Sequence, residues 1–539
     1  AGMPAPISLS EIESPPPVHY GSFERCTRSL PPPRAFEPPS HYNDSSHCAP
    51  WYGFRRGPAY RLRMPLVDVC VNDLAPPTGD EHGPRSSLRC VLQRGEPFFC
   101  EMLHVRLGQL FFNEPPLRAS CQWRAGVLSA ERSSKYQVAP WTYSDATLPT
   151  RVMSLPFSQL ELSRGWTPDR APSEPRSHKF SQLGVEQLFN SIHVNQSSKY
   201  PACDPADRVV SHPVLLVRRH DAFNPFHAHE MIFSVWSSFL ALELEPCDTS
   251  ILFSDMIDDD ANFGPFLEFY RAVFAPVHGV DKMATLAMMN QQTCYKRLIT
   301  TVNHEEHFNI PYEFSVAMRR NLRGCSKSPY VMGMTNYVLH AFGLERDPTS
   351  SRRVPHVSLL RRQPYTRERH LSAFDTRRMM KNFPELELAV STHCSRKRRD
   401  LLRGRECTQM TVDMATLPIA GQLAMARATD VLIGTHSAAL VYLIYLPAHA
   451  CVVEFATKTD FHYDNLAFYT GIHHIRVMNR LLTHSVRSFY MDVQRAILGL
   501  QMALKYVSPF VSAGIAARVT PPPTPRHIEW PQVTWETSS

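Results

Sequence analysis

The most apolar stretch of the chain, Val431 to Phe455, is long enough for a membrane-spanning helix, yet Thr435, His436, Ser437, Pro447 and His449 interrupt it. A spanning helix needs about 20 predominantly apolar residues in a row, whereas short apolar runs bounded by turn residues suit buried strands. The stretch is therefore expected to form a strand from Val431 to Ile433, a helix from Ala438 to Tyr445 and a strand from Cys451 to Phe455. Consecutive strands joined by a helix lie parallel, and strands this apolar are covered on both faces.

The same alternation extends in both directions. Upstream lie an expected strand Val357 to Leu360, helix Thr376 to Asn382, strand Leu386 to Val390 and helix Ile419 to Ala428. Downstream are helix Asn465 to Tyr469, strand Ile475 to Val477 and a long amphipathic segment, Tyr490 to Val507. An earlier block repeats the pattern, with strands Val214 to Val217 and Ile251 to Ser254, and helices from His229 to Leu242, Phe266 to Val273, Tyr312 to Leu322 and Tyr330 to Phe342. Two such blocks, 210 to 345 and 346 to 515, place a ligand cleft between them at the carboxyl ends of their strands. Residues 61 to 209 read as an extension of short strands and loops, including Leu66 to Val71 and Leu88 to Leu92. Proline crowds residues 1 to 60 and 516 to 539, which suits an extended stem and tail.

At 539 residues the chain is long enough for two or three domains. A net charge of +7 from 57 basic and 50 acidic residues is too dilute for a nucleic-acid surface, and the run Arg396 to Arg405 is broken by leucines and acids. Thirteen cysteines occur without a C-x-x-C pair, which argues against a zinc ribbon or a thioredoxin-type site and leaves structural disulfides open. Asn43 and Asn195 head N-x-S sequons, which accept glycans in a secreted chain. The sequence opens at Ala1, so a preceding leader or anchor is expected.

The segment Asp430 to Leu440 reads D-V-L-I-G-T-H-S-A-A-L. A strand ending in Gly-Thr-His-Ser before a helix sets small residues beside helix amides, an arrangement that suits a phosphate. The pattern alone is equally met by an ordinary strand–helix turn. The stretch resembles the signature of glycosyltransferase family 61, which contains plant core β1,2-xylosyltransferases, the extracellular O-GlcNAc transferase and the protein O-mannose GlcNAc-transferase. Gln422, Asp430, Gly434, His436, Ala438, Leu440, Pro447 and Glu454 stand at matching places, while Ser437 and Ala439 replace two family glycines. The family's strand ending in paired arginines is matched by Val357 to Arg362, with Arg369 at a following arginine. A family N-x-F-H is matched by Asn224 to His227, with Met231 where relatives often carry aspartate and Glu230 just before it.

The resemblance implies an α/β fold of GT-B type, with two Rossmann-like domains facing across a cleft and an irregular N-terminal extension. It implies an inverting transfer from a UDP-sugar to a glycan or glycoprotein hydroxyl, with no other cofactor. His227 and Glu230 are the catalytic candidates, with Asn224 on the acceptor side. Arg361, Arg362, Arg369, Gly434, Thr435, His436, Ser437 and Glu454 are the donor-binding candidates, with Glu454 toward the ribose. A lumenal location in the Golgi or endoplasmic reticulum, behind an N-terminal anchor, goes with this reading. Two alternatives stay open: a non-catalytic glycan-binding protein that keeps the fold, and a metal-dependent hydrolase built on His227 and His229. Asp258 and Asp260 form a D-x-D that suits a solvated turn as well as a cation, and His304 to His307 lacks the H-E-x-x-H spacing.

Overall fold

The computed structural model describes residues 67–71, 87–93, 96–107, 117–119, 122–123, 192–194, 208–217, 224–242, 244, 246, 249–253, 266–274, 283–285, 293–301, 328–345, 354–363, 365–366, 374–375, 379–395, 407–456, 462–478 and 488–512. Asn43, Asn195, Arg369, Asp258 to Asp260, the expected helix Tyr312 to Leu322 and both proline-rich ends lie outside these residues.

The first sheet has ten strands: β1 (Val67–Val71), β2 (Ser87–Gln93), β3 (Glu96–Leu107), β4 (Leu117–Ala119), β5 (Gln122–Trp123), β6 (Ile192–Val194), β7 (Arg208–Val217), β8 (Ser250–Phe253), β9 (Met283–Thr285) and β10 (Thr293–Thr300). Strands β10, β7, β8 and β9 run parallel in that order. Strand β3 joins them antiparallel through β10, and β2 and β1 continue that half. The strands expected in a separate extension thus share a sheet with the first block, and β7 runs across position 210. Cys90 and Cys100, paired in register across β2 and β3, form a disulfide. The helices of this block are α1 (Pro225–Leu242), α2 (Leu267–Phe274) and α3 (Pro329–Ala341).

The second sheet contains β11 (His356–Leu360), β15 (Thr408–Val412), β16 (Val431–Thr435), β17 (Cys451–Ala456) and β18 (His473–Met478), all parallel, in the order β15-β11-β16-β17-β18. Two small two-stranded pairings, β12 (Tyr365–Thr366) with β13 (Phe374–Asp375) and β14 (Met379–Met380) with β19 (Ser488–Phe489), lie outside it. Helices α4 (Phe383–Ser395), α5 (Ile419–Arg427), α6 (His462–Thr470) and α7 (Val493–Ser512) complete the block. Asp430 fastens the sheet where three strands begin. Its Oδ2 accepts the His356 N–H at 2.7 Å, its Oδ1 lies 2.7 Å from His449 Nε2, and its backbone bonds to His356 and Cys451.

Four local readings are corrected. The strand expected from Leu386 to Val390 is the middle of helix α4, because Phe383, Leu386, Val390 and Cys394 bury one face at helical spacing. Its residues described before that helix, Met379 to Asn382, form β14 and a turn rather than the expected helix. Strand β15 was not expected, since it lies at the sheet edge and only Val412 is fully buried. The crossover Ala438–Tyr445 is 3₁₀ rather than α, with Leu440 N–H bonded to Ser437 O and Leu446 N–H to Leu443 O. Every residue from Leu440 to Leu446 is buried, so packing on all sides outweighs the preference for α geometry.

Side chains alternate across the second sheet. Val431, Ile433, Val453, Phe455, Ile475 and Val477 face a core closed by α4 and α7, in which Cys394 and Cys407 form a disulfide. Leu360, Leu432 and Val452 face the opposite core, shared with α5, α6, the 3₁₀ crossover and the first block's helices α1, α2 and α3. Gly499 lets α7 lie close on the sheet: a Cβ there would stand 2.9 Å from Val477 Cγ2 and 3.0 Å from Val453 Cγ1. Alanine would gain up to about 1 kcal/mol of helix propensity, but overpacking against two β-branched side chains costs about 1–3 kcal/mol. Gly499→Ala is expected to lower the free energy of unfolding, read by chemical denaturation; an unchanged or raised value would show that the helix shifts without strain.

Candidate functional site

In the second sheet β11 connects outward to β15, the chain returns to β16, and from there it proceeds the other way to β17 and β18. The direction of winding reverses between β11 and β16. In open parallel sheets ligands collect at the carboxyl ends beside such a reversal. Here those ends carry Leu360 to Arg362 and Gly434 to Ser437, the two segments singled out from the sequence.

The two arginines differ. Arg361 is exposed and its guanidinium lies over the Phe383 ring, 5.6 Å from the centroid, so its charge is turned toward α4. Arg362 follows, half-buried, just past the end of β11. Gly434 packs closely: a Cβ there would meet Leu360 Cδ1 at 3.1 Å and Leu440 Cδ2 at 3.2 Å, so both leucines would have to give way. Thr435, His436 and Ser437 are all buried. Ser437, where relatives carry glycine, has φ −154° and ψ 158°, extended backbone open to any residue, so the replacement introduces no backbone strain.

His436 is the outer member of a buried polar chain. Its Nδ1 bonds to Glu454 Oε1, and Glu454 Oε2 lies 2.9 Å from His474 Nε2, in ion-pair reach though not aligned as a good hydrogen bond. His474 Nδ1 lies 2.7 Å from Asp464 Oδ1, and Asp464 Oδ2 lies 3.2 Å from Arg476. Gly434, Glu454 and Arg476 stand side by side across β16, β17 and β18. Glu454 is 1% exposed with both oxygens turned to imidazoles. Within the protein its two oxygens thus lie against His436 and His474. Burial alone would raise its carboxyl, but the hydrogen bond from His436 and the close, charged His474 outweigh this and lower it to about 2. Burial would likewise lower His474, but the Asp464 and Glu454 carboxylates raise it to about 9.

On α1, Asn224 Oδ1 accepts the Phe226 N–H at 3.0 Å, so this residue caps the helix. His227, whose side chain is 22% exposed, places Nδ1 2.6 Å from Glu230 Oε2, one turn on. Glu230 thus supplies a carboxylate to His227, while the next residue, Met231, is buried in the core. His229 faces away: it is fully buried, its Nδ1 lies 2.6 Å from Pro225 O, and burial lowers it to about 4. The imidazoles of the H-x-H pair therefore do not converge on a common metal. Among the described residues no group of three or more His, Cys, Asp and Glu is arranged to hold a metal ion.

The two histidine–carboxylate pairs come near each other through aromatic contacts. Phe226, next to His227, lies 5.6 Å from His462 and 6.0 Å from Tyr463 between ring centroids. His436 lies 4.9 Å from Tyr463 and 6.3 Å from His462. His462, Tyr463, Asp464, His474 and Arg476 were absent from the sequence-derived site. The available signal was the alternation His474-Ile475-Arg476-Val477, which puts two cationic side chains on one face of a buried strand.

Strand order and polar geometry define the class, a doubly wound α/β protein with its candidate site at the switch point of the second sheet. Among curated proteins the chain is similar to the EGF domain-specific O-linked N-acetylglucosamine transferase of Drosophila melanogaster, 24% identical over 273 residues, which make up 49% of this chain and 45% of that protein. The chain spans about half the length of the relative it matches, and that relative is a glycosyltransferase. No protein-family model matches the chain. Among the described residues no helix is long and apolar enough to cross a membrane.

These shifts imply a specific pH dependence of stability. Glu454, lowered from 4.5 to about 2, stabilises the fold above 4.5, and its contribution fades as pH falls toward 2. His474, raised from 6.5 to about 9, contributes fully below 6.5 and loses that contribution as pH rises through 9. His229 and His473, both lowered to about 4, act between 6.5 and 4, so the limb from 6.5 to 9 isolates His474 from them. The stability difference between the native protein and His474→Gln is expected to shrink from pH 6.5 to 9 in urea titrations. A difference constant across that range would contradict the charged state assigned to His474.

Proposed function

We propose that the chain is an inverting glycosyltransferase that moves a sugar, xylose or N-acetylglucosamine, from a UDP-sugar to a hydroxyl of a glycan or glycoprotein. One observation carries the reading: two carboxylate-backed histidines, His436 with Glu454 and His227 with Glu230, border the same group of rings, Phe226, His462 and Tyr463. The position of His436 at a switch point supports a nucleotide diphosphate there. The likeness to a glycosyltransferase supports the reaction type.

In this reading His436, Arg362 and Arg369 offset the charge of the diphosphate, with Thr435 and Ser437 lining the turn beside it. The acceptor oxygen attacks the anomeric carbon on the face opposite the diphosphate. The bond from that carbon to the diphosphate oxygen breaks, UDP departs, and the hydroxyl proton passes to Nε2 of His227. Glu230 holds Nδ1–H, fixes the tautomer in which Nε2 is the basic nitrogen, and stabilises the resulting imidazolium. The UDP-sugar is the only small molecule the reaction requires. A lumenal setting in the endoplasmic reticulum or Golgi accords with the Cys90–Cys100 and Cys394–Cys407 disulfides, which persist in oxidising compartments.

UDP titration calorimetry and release of UDP from UDP-xylose, UDP-GlcNAc and UDP-arabinose, with a mixed glycan acceptor pool and with or without EDTA, test the proposal. His436→Ala is expected chiefly to weaken UDP binding, and His227→Ala chiefly to slow turnover on the order of a hundred-fold or more. UDP binding without turnover on any acceptor would favour a non-catalytic glycan-binding protein. Loss of activity in EDTA would refute the metal-free route, and unchanged UDP affinity in folded His436→Ala would remove that residue from the donor site.

A further inference from the structure

Helix α1 and the 3₁₀ crossover meet over a buried polar set that the transfer reaction does not use. His229, Tyr442 and Tyr445 are fully buried. Their rings form a triangle, with centroids 5.2 Å apart between His229 and Tyr442, 5.5 Å between His229 and Tyr445 and 6.1 Å between the two tyrosines. Phe269 of α2 closes one side, 4.9 Å from His229. His229 Nε2 and both phenolic oxygens are shielded from solvent, and no protein group hydrogen-bonds to any of the three. An orphaned polar atom is costly in an apolar core, and three on adjoining rings require a common explanation.

The role open to each atom follows from its surroundings. The Pro225 carbonyl can only accept, so His229 Nδ1, 2.6 Å from it, carries a proton and donates. Burial lowers His229 to about 4, so the ring is neutral near pH 7 and Nε2 is a bare acceptor. Burial raises both phenols, reinforced by Glu268 at Tyr442 and by Tyr442 at Tyr445, so each keeps an O–H to donate. A metal ion would find a single imidazole here, and an anion would face the lone pair of Nε2. A neutral molecule that both accepts and donates matches the set.

We propose that His229, Tyr442 and Tyr445 hold one internal water molecule, which accepts from the two tyrosine hydroxyls and donates to Nε2 of His229. About three hydrogen bonds is the usual complement of a buried water. The site joins α1, two residues after His227, to the crossover that begins two residues after His436, and so places a polar tie inside the apolar cluster shared by the two blocks. It stands independently of the glycosyltransferase reading.

A crystal structure of the native full-length protein, at a resolution that shows ordered water, tests the site directly. Density for a water is expected about 2.7–3.2 Å from Nε2 and from both hydroxyl oxygens. A direct bond from a tyrosine hydroxyl to Nε2, or no density between the three groups, would overturn the proposal. Thermal unfolding of Tyr442→Phe, Tyr445→Phe and the double variant separates the alternatives by sign. Where the hydroxyls share a water, each single variant unfolds at a lower temperature, and the double variant loses less than the sum because both deletions remove partners of the same molecule. Where the hydroxyls are orphaned, deleting either one removes a buried unsatisfied group and raises the midpoint. A raised midpoint, or strictly additive losses, therefore counts against the shared water.

Discussion

Asp430 is the residue on which the geometry of the second sheet depends. Its carboxylate and backbone contact the starts of β11 and β17 as well as the 447–450 turn, and it is fully buried. In a parallel sheet a slip of one residue exchanges the two faces of a strand. Fastening the amino ends therefore determines which side chains arrive together at the carboxyl ends, about 5 residues further on at roughly 3.3 Å each. The meeting of His436, past the end of β16, with Glu454 on β17 is a consequence of this distant clamp. A carboxylate with no plausible contact to ligand thus governs the site from the other end of the sheet.

Much of this fold was legible because parallel strands buried on both faces read as unbroken apolar runs. Val431 to Ile433 and Cys451 to Phe455 could be placed as neighbours, and they are. The segment Leu386 to Val390 was misread because the run Glu385-Leu386-Glu387-Leu388 imitates strand alternation, whereas its burial together with Phe383 and Cys394 at helical spacing is visible only over a longer window. Strand β15 was illegible because an edge strand with one buried residue has no apolar signature. The grip of Glu454 was partly legible, since an acid within Val-Val-Glu-Phe-Ala demands a partner inside the protein. Its partners were less so: the alternation around His474 marks one strand face, but nothing local distinguishes Asp464 from a surface residue until β18 and α6 are folded against each other.

The two histidine pairs that border Phe226, His462 and Tyr463 are built differently. His227 is partly exposed, and its carboxylate comes from one helical turn away, so local structure alone supplies the pair. His436 is almost fully buried, and its carboxylate comes from a neighbouring strand with a second imidazole behind it. The first arrangement tolerates side-chain movement; the second is rigid, because each group in it is held by another. Such a division suits a site in which one imidazole exchanges protons with a varying partner while the other keeps a fixed position.

The core beneath the site has a consequence for how the molecule can be divided. Phe226, Phe233 and Trp236 of α1 belong to the same buried cluster as Leu440 to Leu446 of the crossover, and the Ser328 N–H ahead of α3 donates to Tyr469 O at 2.6 Å. Separating the chain near position 345 would open that cluster along its length and expose several aromatic side chains to water. Each of those large residues contributes about 1.5–3 kcal/mol by its burial, a sum comparable with the whole stability of a domain. The two sheets thus share one buried cluster, and a fragment carrying the switch point alone would lack part of the surface that packs on its crossover.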